Sequence, residues 1–379
     1  MRFFHISDLH LGKRVNEFSM IDDQLDILQK IVMLAEDKKP DAVLIAGDVY
    51  DKSMPSVEAV QLLDKFLVWL NDLSVAVFLI SGNHDSVERV AFGADLLKHS
   101  GIHIVQSYRG QLTPVSMNDE HGSLNVWMLP YLKPALVRRE LEKYDIATYT
   151  EALASVLANV EINTSDRNVL VAHQFVTGAK TSESEEKYVG GSENVDSSLF
   201  DAFDYVALGH LHRPQHIGRE TLRYCGTPLK YSFSEVNDKK SVTVVDMGKK
   251  GEVAISELPL APIHEMRVIR GAYDELMKRE NYLGTNTDDY IRAVLTDEHE
   301  EPDARRKLEM IYKNLMSLDY DNMRTKAASS FTATVSADKK TPAQLFGDFF
   351  EMQNGGPMSG EQSEYVAGLF NEVFGEEDV

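Results

Sequence analysis

The chain has 379 residues, 43% hydrophobic and 26% charged, with a formal net charge of −21. That length exceeds one typical domain, and no apolar run approaches the roughly 20 residues of a membrane span. The N-terminal apolar run is too short for a signal peptide and is broken by His5 and Asp8, while a single cysteine, Cys225, excludes an intrachain disulfide and fits a reducing cytoplasm.

From the start to about residue 260, apolar strand-like runs alternate with helical patterns. In chain order the strands are "RFFHIS", "DAVLIAG", "VAVFLIS", "IHIVQ", "LNVWMLP", "NVLVAHQ", "DYVALGH" and "SVTVVDM". Helical spacing runs from Met20 to Asp37 (Leu25, Leu28, Val32) and from Ser56 to Asp72 (Leu62, Phe66, Leu70). This alternation predicts an α/β layered domain, with a second sheet packed on the first where strands become consecutive. From Met266 the pattern changes: "RVIRG", a helix through Leu276, "DDYIRAVLTD", a helix from Asp303 to Lys313 and "LMSLDYD" predict a small separate α/β unit. A polar stretch, "RTKAASSFTATVSADKKT", reads as a linker. The tail then spaces Leu345, Phe349 and Met352, and later Val366, Leu369, Phe370 and Val373, as two helices.

Five polar clusters follow strand candidates: "SDLHLG" (Asp8, His10), "GDVYD" (Asp48, Asp51), "GNHD" (Asn83, His84, Asp85), "AHQF" (His173) and "GHLHRP" (His210, His212). Each alone is weak; "GNHD", for instance, is good turn chemistry. Ligands gather beyond the carboxyl ends of strands in open α/β sheets, so five clusters in such positions point to one site. Asp, Asn and His are oxygen and nitrogen donors suited to Mn, Fe or Zn, and no cysteine is on offer for a soft tetrahedral site. On a strand end Asp8 and His10 point to the same side, since alternate residues share a face, and so do His210 and His212. The seven candidates Asp8, His10, Asp48, Asn83, His173, His210 and His212 are too many for one ion and about right for two sharing a carboxylate.

These clusters, in order, resemble the calcineurin-like binuclear metallophosphoesterases. "HISDLHLGK", "IAGDVYD", "SGNHDS" and "YCGTPLKYSFSE" further resemble the SbcD-type nucleases of that superfamily, over nearly the whole chain. Cys225 departs from the small residue, usually Ser, expected there. The resemblance implies an α/β/β/α sandwich of two packed sheets flanked by helices, with a small α/β capping domain and a helical C-terminal tail. It implies a nuclease domain over 1–265, a capping domain over 266–322, a linker over 323–340 and a partner-binding tail over 341–379. By it, Asp8, His10, Asp48 and His212 hold one ion, and Asp48 bridges to a second completed by Asn83, His173 and His210, with Mn²⁺ the expected metal. His84 is then the proton donor or phosphate partner, Asp85 orients it, and Asp51 supports the metal ligands.

The same resemblance implies DNA as substrate, cut exonucleolytically on duplex ends and endonucleolytically on single strands or hairpins. It also implies an SMC-like ATPase partner, SbcC, in a two-plus-two heterotetramer built on a homodimer, cytoplasmic and nucleoid-associated when on DNA. The tail residues facing that partner are Leu345, Phe346, Phe349, Phe350, Val366, Leu369, Phe370 and Val373. Packing of the tail back on the catalytic domain is the plainer alternative. Arg89, Lys13 and Arg14 are candidate phosphate contacts or solvated surface cations. The negative charge argues against a dominant basic patch. Metal-binding carboxylates and a tail with eight acids and no base over 341–379 account for part of it. Two rivals stay open: a small-substrate phosphatase or cyclic-nucleotide phosphodiesterase, and an inactive scaffold of the same fold.

Overall fold

Runs such as Ala42–Ala46 and Tyr205–Gly209 are apolar at nearly every position, and both are buried throughout. Such strands belong to the middle of sheets covered on both faces. In this computed structural model, which describes residues 1–185, 193–323, 325, 346, 347, 349, 350 and 356–374, they lie in two six-stranded sheets. The first runs Val253–Pro259, Ser241–Met247, Arg2–Ile6, Ala42–Ala46, Ala76–Ile80, Ile102–Val105, parallel from Arg2–Ile6 onward. The second runs Gln215–Ile217, Arg219–Tyr224, Tyr205–Gly209, Arg167–His173, Gly122–Leu129, Val115–Asp119, with its four central strands parallel.

Side-chain alternation sorts the two cores. Phe3, Leu44, Phe78 and Ile80 of the first sheet meet Val126, Met128, Val169, Val171 and Ala207 of the second in one cluster. The intervening residues Trp127, Leu129, Leu170, Ala172, Val206 and Leu208 face the other way. They pack under helices Pro134–Leu141 and Tyr149–Ala158 through Val137, Leu153 and Val156. Helices Ile21–Lys38 and Val57–Asp72 pack on one another, the second also against Ala76–Ile80. The Ser56 side chain caps the latter by accepting the Ala59 N–H, a bond whose loss costs about 1 kcal/mol. These layers are the expected sandwich.

Within these two sheets, four strands lie outside the runs predicted from sequence: Val115–Asp119, Gln215–Ile217, Arg219–Tyr224 and Val253–Pro259. They lie at or next to sheet edges and are half-exposed, so their sequences mix charge with apolar residues.

The chain divides into two units, Met1–Met266 and Arg267–Val379. In the second part a three-stranded sheet of Met266–Gly271, Tyr290–Leu295 and Leu315–Tyr320 carries a helix, Ala304–Glu309, shorter than the expected Asp303–Lys313. Its core is Leu276, Ile291, Ala293, Leu295, Leu308, Tyr312 and Leu315. Further on, Gly360–Phe374 is helical, and the Phe346 ring lies 6.4 Å from Phe349 and 6.0 Å from Phe370. Phe346, Phe349 and Leu369 are exposed, while Val366 is half-buried. Leu345, the Val373 side chain and most of the linker lie outside the described residues. Among the described residues no helix is long and apolar enough to cross a membrane.

Candidate metal centre

Four loops and the last residue of strand Arg167–His173 bring the candidate ligands together at the carboxyl ends of the parallel strands. Three of the strands stop short: Arg2–Ile6 ends before Asp8, Ala42–Ala46 before Asp48, and Tyr205–Gly209 before His210. The expectation that pleat alternation aligns Asp8 with His10, and His210 with His212, is therefore corrected. Asp8 (φ 53°), His10 (φ 43°), Asp48 (φ 48°) and His210 (φ 102°) adopt left-handed backbone instead. Non-glycine residues rarely do so, at about 1–3 kcal/mol each, and such positions cluster at functional sites. Backbone bonds stitch the loops together, with Asp8 N–H donating to Gly47 O (3.0 Å) and His10 N–H to Asp48 O (3.0 Å).

The Asp48 carboxylate is central. Its Oδ2 lies 3.4 Å from His173 Nε2, 3.8 Å from His10 Nε2 and 3.9 Å from His84 Nε2. Its Oδ1 accepts the His84 backbone N–H at 3.0 Å. Asn83 Oδ1 sits 3.0 Å from both His173 Nε2 and His210 Nδ1. Across the site His10 Nε2 is 3.1 Å from His212 Nε2, and Asp8 accepts the His210 backbone N–H. All seven candidates thus meet in one cluster, buried except for the half-buried Asn83.

This arrangement fits divalent cations. Asp8, His10 and His212 can each place one donor atom within 4.8 Å of the others, as can Asp8, Asp48 and His173. His10 Nδ1 is buried without a hydrogen-bond partner among the described residues. His173 Nδ1 faces Ala46 O at 2.8 Å, which sets the N–H there and leaves the Nε2 lone pair for a ligand. Burial holds His10 well below the usual imidazole range and His210 down to about 3, favouring the neutral, ligating form. Burial also opposes charge on Asp48 and His173, but their mutual attraction wins, keeping Asp48 low and raising His173 to about 9.

His84 stands beside the cluster, edge-on to His10 with ring centroids 5.0 Å apart. Its Nδ1 faces the Asp51 carbonyl at 3.1 Å, leaving Nε2 toward Asp48. The expectation that Asp85 orients His84 is corrected: the Asp85 carboxylate accepts the backbone N–H groups of Val49, Tyr50 and Gly82. It ties the Asp48 loop to the Asn83 loop, and burial together with the Asp48 charge pushes it up to about 6. Asp51 does the orienting, through its backbone, while its carboxylate pairs with Lys13 Nζ at 2.6 Å. Arg14 turns to the Glu17 carbonyl, and Arg89 lines an apolar groove with Tyr50, Leu63 and Phe92. Among the described residues neither arginine bonds to a candidate ligand. His5 is a satisfied core residue, its nitrogens facing Tyr205 Oη (2.8 Å) and Leu208 O (3.2 Å) of the other sheet.

The sequence reading missed the supports around these ligands. His212 Nδ1 lies 2.6 Å from Ser184 Oγ, which in turn donates to Glu235. Glu235 is fully buried and accepts Lys240 Nζ at 2.6 Å, and Lys240 also donates to His212 O and Thr227 Oγ1. Burial opposes the Glu235 charge, but His212 and Lys240 hold its carboxyl down to about 2. On the other side Gln24 bonds Gly12 N–H and His10 O, and Tyr231 Oη donates to Leu9 O. The one signal for them was Glu235 within "YSFSE", a segment that carries the family resemblance without suggesting a ligand. Glycines let the loops approach: a Cβ on Gly209 would lie 1.8 Å from Ala46 O, and one on Gly82 2.1 Å from Asp48 Oδ1.

Comparison with known proteins identifies the family. Residues 1–214 match the family of calcineurin-like phosphoesterases, and residues 262–354 match one described as "Type 5 capsule protein repressor C-terminal domain". The chain is 32% identical over 381 residues to the SbcD subunit of the nuclease SbcCD from Staphylococcus epidermidis, covering both chains completely. Among solved structures, a Thermus thermophilus protein aligns at TM-score 0.38 and 12% identity, over 68% of this chain and 98% of that one. A dimetal phosphatase from Danio rerio aligns at TM-score 0.41 and 12% identity, over 68% and 95%. The full-length match and the catalytic-domain match together place the chain in the SbcD family of calcineurin-like phosphoesterases, metal-dependent hydrolases of phosphodiester bonds.

Proposed function

We propose that the chain is a Mn²⁺-dependent DNA nuclease, cutting duplex ends exonucleolytically and single strands or hairpins endonucleolytically, in DNA repair, replication and recombination. The observation that carries this reading is the convergence of seven oxygen and nitrogen donors from five strand ends, in a chain matched end to end by a nuclease subunit. Asp8, His10, Asp48 and His212 would hold one ion, and Asp48, Asn83, His173 and His210 the other. Bound cations supply Lewis-acid polarisation of the phosphate and an acidified water. His84, with Nδ1–H on the Asp51 carbonyl and Nε2 facing the cluster, is the group we assign to proton delivery at the leaving oxygen. Asp85 holds its loop in register.

In this reading residues 1–265 are the nuclease domain, 266–322 shape DNA access, 323–340 link, and 341–379 grip an SMC-like ATPase, SbcC. Exposed Phe346, Phe349 and Leu369 support a partner-binding role for the tail. A homodimer is supported by exposed Phe92 and Leu96, since Phe92 borders a groove of about 300 Å³ lined by Val60, Leu63 and Leu67. The test is purified protein with Mn²⁺ offered hairpin DNA and p-nitrophenyl phosphate. Hairpin cleavage with two bound ions per chain is expected; turnover of the small ester with intact DNA would overturn the assignment.

A further inference from the structure

A cavity of about 520 Å³ opens directly against the metal centre, sharing Gly82, Asn83 and Asp85 with it. That volume lies within the range of small-ligand sites. Tyr131 forms another part of its wall, with its ring 6.1 Å from His173 and, nearly parallel, 6.3 Å from His210.

Three cations, Arg109, Lys133 and Arg139, line the cavity. Arg109 and Lys133 line it without carboxylate partners among the described residues, Lys133 resting over the Tyr131 ring at 5.9 Å. Its acids are largely committed: Glu140 is paired with Arg139, and Asp85 with three backbone N–H groups. Glu88 is exposed and takes the Ser86 hydroxyl. Gln106 adds an amide that can both donate and accept.

Unpaired cations, aromatic faces and hydrogen-bonding groups beside a phosphoesterase centre are the chemistry that recognises a nucleotide. From this juxtaposition we infer that the cavity seats the nucleotide adjoining the scissile phosphodiester of a nucleic-acid strand. Its phosphate lies against Lys133 and Arg109, and its base or sugar reaches Gln106. The inference rests on the nuclease reading and extends it from the reacting phosphate to its neighbour.

The test compares a single-stranded oligonucleotide with bis(p-nitrophenyl) phosphate, a diester with no neighbouring nucleotide, using the full chain with Mn²⁺. The double variant Arg109→Ala, Lys133→Ala is expected to raise the oligonucleotide KM about tenfold and flatten its salt dependence, with turnover of the small diester unchanged. Gln106→Ala is expected to raise the same KM about threefold while leaving Tm unchanged. Equal oligonucleotide KM in wild type and all variants overturns the cavity assignment and leaves the nuclease reading standing. Wild type that hydrolyses the small diester but no oligonucleotide overturns both.

Discussion

The two ends of the same parallel strands are built on opposite principles. At the amino ends charges have dedicated partners. Arg167 is buried and donates to the Asp119 carboxylate and to the carbonyls of Gly122 and Gly248, while Arg2 pairs with Asp246. At the carboxyl ends, imidazoles and carboxylates face one another, and four of them stand on left-handed backbone. Local rules are obeyed at one end and broken at the other, and the chemistry sits where they are broken.

Substitutions at the two ends should therefore separate activity from stability. Asp48→Ala removes the carboxylate shared by the cluster; hydrolysis should fall about 10³-fold or more, with bound metal reduced by elemental analysis. His84→Ala should lower kcat about 10²-fold or more at full metal content, separating proton delivery from metal binding in one steady-state assay. Glu235→Gln acts one layer further out. Metal affinity measured by calorimetry should drop about 10- to 100-fold, and Tm should fall because Lys240 loses its buried counter-charge.

Asp119→Asn should invert the pattern, leaving kcat unchanged but costing about 1–2 kcal/mol in urea unfolding at neutral pH, because Asp119 keeps some solvent contact. Arg167 holds the Asp119 carboxyl well below the usual range. The contribution is therefore fully present above the unfolded carboxylate pKa of about 4 and is lost as pH falls through the folded value. The variant and wild type should converge in acid; a gap constant with pH would show that the pair is not the source.

The sheet interior was legible because strands buried on both faces must be apolar throughout, as Ala42–Ala46 is. Strands at or next to the edges, such as Arg219–Tyr224, were not, since half-exposure leaves them compositionally close to loops. The donor clusters stood out because Asp, Asn and His gain nothing from following a buried strand unless something binds them. Their supports did not. Ser184, Glu235 and Lys240 are ordinary surface residue types, brought to the His212 site only by contacts such as those from His212 to Ser184 and Lys240, each spanning 28 residues. The Asp85 misreading has a related cause: adjacency to His84 implied a partnership, whereas the fold aims that carboxylate back across the loop.

Gly209 and Gly82 carry a consequence for how this centre can change over generations. Neither offers a functional group, yet a single methyl at either would collide with the Ala46 carbonyl or with the Asp48 carboxylate. The ligand set is thus guarded by clearances as strictly as by chemistry. Gly209 keeps the clearance between the two sheets and Gly82 the clearance between two loops of the first, so a side chain added at either would displace ligands without touching a donor.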